Sequence, residues 1–482
     1  MRLSAAHQGV LPSPAYDRNL VAKGVVHLGI GAFHRAHQAV IFDRALASGD
    51  LRWGIVGVSL RSADVRDQLM PQDGLYTLLV RQGDKVDART IGAVLDVLVA
   101  PENPAAVVAA LADPAVHLVT LTITEKGYKL SRGQLRTDDP DVKADCADLS
   151  APRTAPGLLV AAFAARRRIG LPPFTVMSCD NLPHNGALLR SAVLAIAAVH
   201  DNALRDWIAA EAAFPTTMVD RIVPATTPAD IARLADSIGL EDRAMVKTEP
   251  FLQWVVEDSF CSQRPDFDAL GVQLTNSVTP WEDAKLRLLN GAHSAIAYMG
   301  GLAGVPFVHD FVGLTEGRAF VEAIWDESAE TLAPPPELNL TTYRKALMAR
   351  FCNAALEHRT RQIAQDGSQK LPQRLVAPIL ARRATGLPVD MLTLAVAGWM
   401  RWQDAYDDSG AHFVIEDPMA PVITEALAGC ASGEQRVDAL LAIEAIFPAA
   451  FAGDAMVRDQ LICWLERLHS DGAMAILKDV FR

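Results

Sequence analysis

Strand patterns run through the first 280 residues of the chain and then nearly stop. Few architectures tolerate that asymmetry. Short apolar, β-branched runs fall at Val25–Ile30, Trp53–Val58, Leu75–Val80, Ile91–Val99, His117–Thr124, Phe174–Ser178, Val246–Glu249 and Trp254–Asp258. Through the first part of this stretch they alternate with helical periodicity. Such alternation predicts an α/β domain with a mostly parallel, doubly wound sheet. Turn residues around Thr275–Pro280 mark a boundary, and the patterns beyond it are helical. The expected domains are 1–279, α/β, and 280–482, mainly α-helical.

The first strand runs into Gly29-Ile-Gly31-Ala-Phe-His34 and then a helical pattern to Ala47. A strand, a glycine turn and a helix let backbone N–H groups meet a pyrophosphate, as in Rossmann-type domains. The fingerprint is incomplete, because His34 stands where the third glycine would be. An ordinary tight turn reads the same way. Beyond the second strand lie Arg61 and Asp64. Asp64 would bond an adenosine ribose and favour NAD, whereas Arg61 would tolerate a 2′-phosphate. Either is equally readable as a solvated loop charge. Gly29, Gly31, Ala32 and Phe33, with Asp64 and with Glu125 past the fifth strand, are the candidate cofactor contacts. Polar residues also follow Ser178, where open α/β sheets bind ligands.

The second domain opens on Trp281-Glu-Asp-Ala-Lys-Leu-Arg-Leu-Leu-Asn-Gly-Ala-His-Ser294. On an ideal α-helix with Lys285 at zero, Glu282 falls near ~60°, His293 near ~80° and Asn290 near ~140°. A lysine, an amide and an imidazole thus share one arc with Leu286 and Leu289. A lysine in such surroundings loses solvation of its charged form and can accept a proton. A helix turning its polar residues to a domain interface would show the same spacing.

Composition narrows the partners. A net charge of -12 argues against nucleic acid and against an anionic membrane surface. Six scattered cysteines without C-x-x-C fit a reducing cytoplasm and offer no zinc site. No signal peptide is read, and no apolar run approaches the ~18 residues of a membrane span.

Several motifs occur in order: Gly29-Ile-Gly-Ala-Phe-His-Arg-Ala-His-Gln38, Thr124-Glu-Lys-Gly-Tyr128, Ser178-Cys-Asp-Asn181, Met218-Val-Asp-Arg221, Glu249-Pro-Phe-Leu-Gln-Trp254 and Lys285-x4-Asn290-x2-His293. Together they resemble the polyol-specific long-chain dehydrogenases, which include mannitol 2-dehydrogenase, D-arabinitol dehydrogenase and the hexuronate reductases. The resemblance implies a nicotinamide-binding domain, a helical domain and an active site between them without metal. It implies Lys285 as catalytic base, Asn181 and Asn290 as amides holding the reacting oxygen, and His293 as a substrate-binding histidine. It further implies Glu282 as proton relay and Asp220 as a substrate contact. The acid that selects NAD in the mannitol enzymes has no clear match here. NAD is therefore expected, with NADP left open.

Within the family, Leu356 to Arg374 looks most like the fructuronate reductases. Fructuronate carries a carboxylate where fructose carries a hydroxymethyl group, and a carboxylate calls for arginine or lysine. Arg359, Arg361, Lys370 and Arg374, with His358, are the cations at hand. Arg361, Lys370 and Arg374 are the expected substrate contacts. The expected reaction interconverts D-fructuronate and D-mannonate. The alternatives are mannitol 2-dehydrogenase or another polyol dehydrogenase and, from another class, a nucleotide-binding sensor without catalysis.

Overall fold

The computed structural model describes residues 1–7, 9–131 and 133–482. The chain divides into two compact units, Met1–Thr279 and Pro280–Arg482.

The first unit is built on a five-stranded parallel sheet, ordered β5 (Val94–Val99), β2 (Ile55–Ser59), β1 (Val25–Leu28), β6 (Leu118–Leu121), β9 (Thr175–Ser178). Its inner strands are buried at every position, as expected of a parallel sheet covered on both faces. Alternation sorts their side chains. Val26, Leu28, Val56, Val58, Val119, Leu121 and Val176 pack with Leu158, Leu159 and Phe163 of helix 155–168. Val25, Ile55, Leu118 and Met177 face the other way, onto Ile41 and Phe42 of helix 38–47 and onto Trp53 and Trp254.

Eight further strands among the described residues complete the unit. β3 (Tyr76–Gln82) and β4 (Lys85–Ile91) form a hairpin, extended by β11 (Val246–Thr248). β10 (Thr217–Asp220), β12 (Gln253–Glu257) and β13 (Gln273–Thr275) form a third sheet. β7 (Leu130–Ser131) pairs with β8 (Gln134–Leu135).

Two expectations need correction. The run Leu75–Val80 is a strand outside the parallel sheet, and Ile91–Val99 is two strands parted at Gly92 and Ala93. The strands β4 and β10 escaped notice because Lys-Val-Asp-Ala-Arg-Thr-Ile is a half-exposed edge pattern and Thr-Met-Val-Asp is too short and polar to stand out.

The second unit is helical. Helix 279–284 passes through a π-helical stretch, Lys285–Asn290, into helix 291–302, whose twelve residues are all buried. Helix 390–402 packs against it and against helix 455–470. A second π-helical stretch, Pro372–Val376, lies against the first. Among the described residues no helix is long and apolar enough to cross a membrane.

Candidate active site

The glycine turn follows β1 directly. Gly29 has φ 98°, and a Cβ there would lie 2.2 Å from the Thr122 carbonyl oxygen. Only glycine allows this crossing against the end of β6. Gly31 is exposed, and a Cβ on it would meet nothing nearer than the Gly29 oxygen at 3.8 Å. It caps helix 32–36 without a side-chain bond. The turn therefore presents open backbone to an approaching group, as a pyrophosphate requires.

His34 does not obstruct this turn. Its ring is buried and stacks on His27 of β1, centroids 3.4 Å apart and planes 13° apart. A flat imidazole pair supplies the close helix–strand packing that a third glycine gives elsewhere. Burial lowers the pKa of His27 to about 3 and holds His34 well below the usual imidazole range. Ala32 and Phe33 continue the turn, half-buried.

Asp64 is exposed at the first position of helix 64–69 and accepts a 2.8 Å bond from the Ser62 hydroxyl. It opens on a groove of about 820 Å³ lined also by Asp67, Asp236, Glu241 and Arg243. Arg61 is exposed and is not among the groove's lining residues.

At the carboxyl end of β9, Asp180 is buried and Asn181 beside it is exposed. Asp180 accepts N–H bonds from Ile123 (3.1 Å) and Thr124 (2.8 Å) and an O–H bond from Tyr128 (3.0 Å). Glu125, exposed, follows in the same loop. Asp220 ends β10, buried and opposite Gln253. Next to it, Arg221 donates to the Glu249 carbonyl at 2.8 Å and to the Ala36 carbonyl, tying β10 to the end of helix 32–36.

In the second unit Lys285 is 9 % exposed, His293 is buried, and Asn290 and Glu282 are half-buried. The Gly291 N–H bonds back to Leu286, a five-residue step. This corrects the ideal helical arc. A π-turn takes up an extra residue, so Asn290 returns nearer the azimuth of Lys285 than the ~140° of an uninterrupted helix. The His293 ring sits 4.7 Å from Phe351 and 4.9 Å from His358. Its Nε2 is buried, with no hydrogen-bond partner among the described residues. Burial, then the neighbouring His358, hold its pKa well below the usual value, so the ring is neutral.

The cations expected at the substrate divide. Arg374 Nη1 donates to Ser294 Oγ (3.1 Å) and the Asn290 carbonyl (3.4 Å), beside the Lys285 helix. Among the described residues no carboxylate pairs with it, and burial lowers its pKa to about 10, so it stays charged. Lys370 donates to the Gln365 carbonyl at 2.5 Å and lies within electrostatic reach of Arg374. Arg361 is committed elsewhere: it pairs with Asp407 at 3.3 Å and lies over the Phe413 ring. Arg359 lies over Phe307. Sequence reasoning missed Ser294, although its place four residues after Asn290 was a readable signal. It also missed Phe351, Asp180 and Tyr128, whose parts depend on contacts distant in sequence.

Comparison with known proteins places both units in a known family. Residues 23–269 match the mannitol dehydrogenase Rossmann domain and residues 277–467 the mannitol dehydrogenase C-terminal domain. The chain is 44% identical over 443 residues to an uncharacterised oxidoreductase of Escherichia coli, YeiQ, covering 90% of each. It is 40% identical to the D-mannonate oxidoreductase of the same organism, covering 93% of this chain and 95% of that one. The solved mannitol 2-dehydrogenase of Pseudomonas fluorescens, a ternary complex with NAD and D-mannitol, superposes with TM-score 0.84 at 38% identity, covering 100% and 99% of the two chains. The two matches together span most of the chain, one over the parallel-sheet unit and one over the helical unit, and the chain belongs to the mannitol dehydrogenase family of oxidoreductases.

Proposed function

We propose that the chain is an NAD-dependent dehydrogenase that interconverts D-fructuronate and D-mannonate. The observation that carries the substrate choice is Arg374, a half-buried guanidinium held by Ser294 and the Asn290 carbonyl, with no carboxylate partner among the described residues. Lys370 adds a second positive charge nearby. Arg374 suits an anionic sugar acid, because a largely covered cation without a counter-charge is costly until an anion arrives, whereas Lys370 also has Asp366 and Asp417 within electrostatic reach. Relatedness to a D-mannonate oxidoreductase supports the same reading.

The glycine turn fits the pyrophosphate of a dinucleotide, and the acid-rich groove beside Asp64 disfavours a 2′-phosphate, which supports NAD over NADP. Bound NAD supplies the hydride chemistry. The chain's residues supply the rest. Lys285 takes the hydroxyl proton in oxidation and returns it in reduction. Glu282, one turn before it, passes that proton towards solvent. The side-chain amides of Asn290 and Asn181 donate to the oxygen as negative charge develops there. His293 positions a substrate hydroxyl through Nε2, and Asp220 holds another.

The test is a panel of D-fructuronate, D-tagaturonate, D-fructose, D-mannitol and D-arabinitol with both cofactors. We expect kcat/KM for fructuronate with NADH to exceed that for fructose by about two orders of magnitude, since an unpaired buried charge costs several kcal/mol. Arg374→Ala narrows that ratio, and Arg361→Ala leaves it nearly unchanged. Equal or better use of fructose or mannitol by the wild type favours the mannitol 2-dehydrogenase reading instead.

A further inference from the structure

Thr124 stands in a backbone conformation that side chains rarely adopt. Its φ is 61° and its ψ 166°, a region occupied almost only by glycine. Strain of this class persists where surrounding contacts over-determine it, and it gathers at ligand clamps. Here the contacts are identifiable. Asp180 takes the Thr124 N–H on Oδ1 at 2.8 Å and the Ile123 N–H on Oδ2 at 3.1 Å. The Tyr128 hydroxyl, at the other end of the same turn, donates to Oδ2 at 3.0 Å and also touches Ser178 Oγ. A single carboxylate thus holds three groups of the loop that leaves β6.

That loop borders the glycine turn. The Thr122 hydroxyl donates to the Gly29 carbonyl at 2.8 Å, and the Thr122 carbonyl is the atom that forbids a side chain at Gly29. Thr124 and Glu125 are themselves exposed, at the carboxyl end of the central strands. Open parallel sheets bind their ligands at that end. The buried end of the strain is therefore the carboxylate, and its open end faces the ligand-binding edge of the sheet.

We infer that Asp180 is a positioning residue for the dinucleotide: it holds the Ile123–Tyr128 loop in a strained conformation that shapes the binding edge beside Gly29. The inference rests on the NAD-binding reading above. No part of it requires Asp180 to touch the cofactor or the reacting atoms. Without the carboxylate, Thr124 relaxes to an ordinary conformation, and the loop must be rebuilt before each binding event.

The experiment is titration of the full-length protein with NADH, followed by nucleotide fluorescence without any sugar, together with circular dichroism and melting. Asp180→Asn puts an amide N–H₂ in place of one carboxylate oxygen, against either the Thr124 N–H or the Ile123 N–H and Tyr128 hydroxyl. Its NADH Kd should rise by a factor of roughly 5–150, the population penalty that strain of this class imposes. Adding Thr124→Gly, which adopts the same φ and ψ without the clamp, should recover most of that loss. A purely structural role for Asp180 gives no such recovery. Unaltered NADH affinity in folded Asp180→Asn overturns the inference, as does a loss that Thr124→Gly leaves untouched. Should Asp180→Asn not fold, Tyr128→Phe loosens the same clamp and must show a smaller loss with the same recovery; its absence is equally fatal. Wild-type protein that binds neither NADH nor NADPH overturns the cofactor reading itself, and this inference with it.

Discussion

Lys285 is 9 % exposed, so most of its long side chain is covered by protein. A base in that position is worth about 10²–10⁴ in rate. Lys285→Ala should therefore keep the fold and NADH affinity while turnover near neutral pH falls by about that factor. Small primary amines in solution should restore part of it, because the vacated volume admits them. A variant with near-normal turnover would remove lysine from the mechanism. Lys285, Asn290 and His293 were legible in the sequence because they ride one helix at short spacing. Asp64 and Arg61 could be located but not ranked, since an acid-lined groove is assembled from helices far apart in the chain. The cations between 359 and 374 look alike as letters. Only the fold separates Arg361, paired with Asp407, from Arg374, held by Ser294.

The helix that carries the proposed catalytic residues is interrupted at Lys285–Asn290. The Lys285–Asn290 π-stretch lies against the Pro372–Val376 π-stretch, and insertions of this kind occur often at functional sites. Apolar periodicity cannot reveal one extra residue in a turn, so the sequence suggested an ordinary helix here. Just past the first stretch, at Gly291, a Cβ would lie 3.0 Å from the Arg374 carbonyl oxygen. This makes the sign of Gly291→Ala diagnostic. In an ordinary helix the change stabilises by about 0.5–1 kcal/mol. Here it must displace the backbone of Arg374, and overpacking of this kind costs about 1–3 kcal/mol. We expect a lower melting temperature and a larger loss of kcat/KM on sugar acids than on fructose, because the displaced residue is the proposed carboxylate anchor. A stabilised variant with unchanged selectivity would show that the two π-stretches do not constrain each other.

Across the whole molecule, two opposing terms decide how stability responds to mild acid. The net charge of -12 means that acidification relieves self-repulsion, which favours the folded state. Against it stand covered histidines in both units: buried His27 and His34 beneath the glycine turn, buried His293 and half-buried His358 beside the Lys285 helix. Burial lowers all four, His27 to about 3 and His358 to about 4, while unfolded imidazoles titrate near 6.5. As the pH drops through 6.5 the unfolded chain takes up protons that the folded chain refuses, so stability must fall. Each such histidine contributes up to ~1.4 kcal/mol per pH unit below its unfolded value. Surface repulsion is screened beyond ~8 Å at physiological salt and cannot match four such terms. Carboxylates raised by desolvation, among them buried Asp43, Asp180 and Asp242 and half-buried Glu327, act with the opposite sign. The window from pH 6.5 to 5.5 is where the unfolded imidazoles take up their protons, so the histidine contribution is read there. Melting temperature should decline steadily across it at 0.15 M salt, and His358→Gln, which removes one of the four, should flatten the slope. A melting temperature that holds or rises across that window would mean that charge relief outweighs the buried imidazoles.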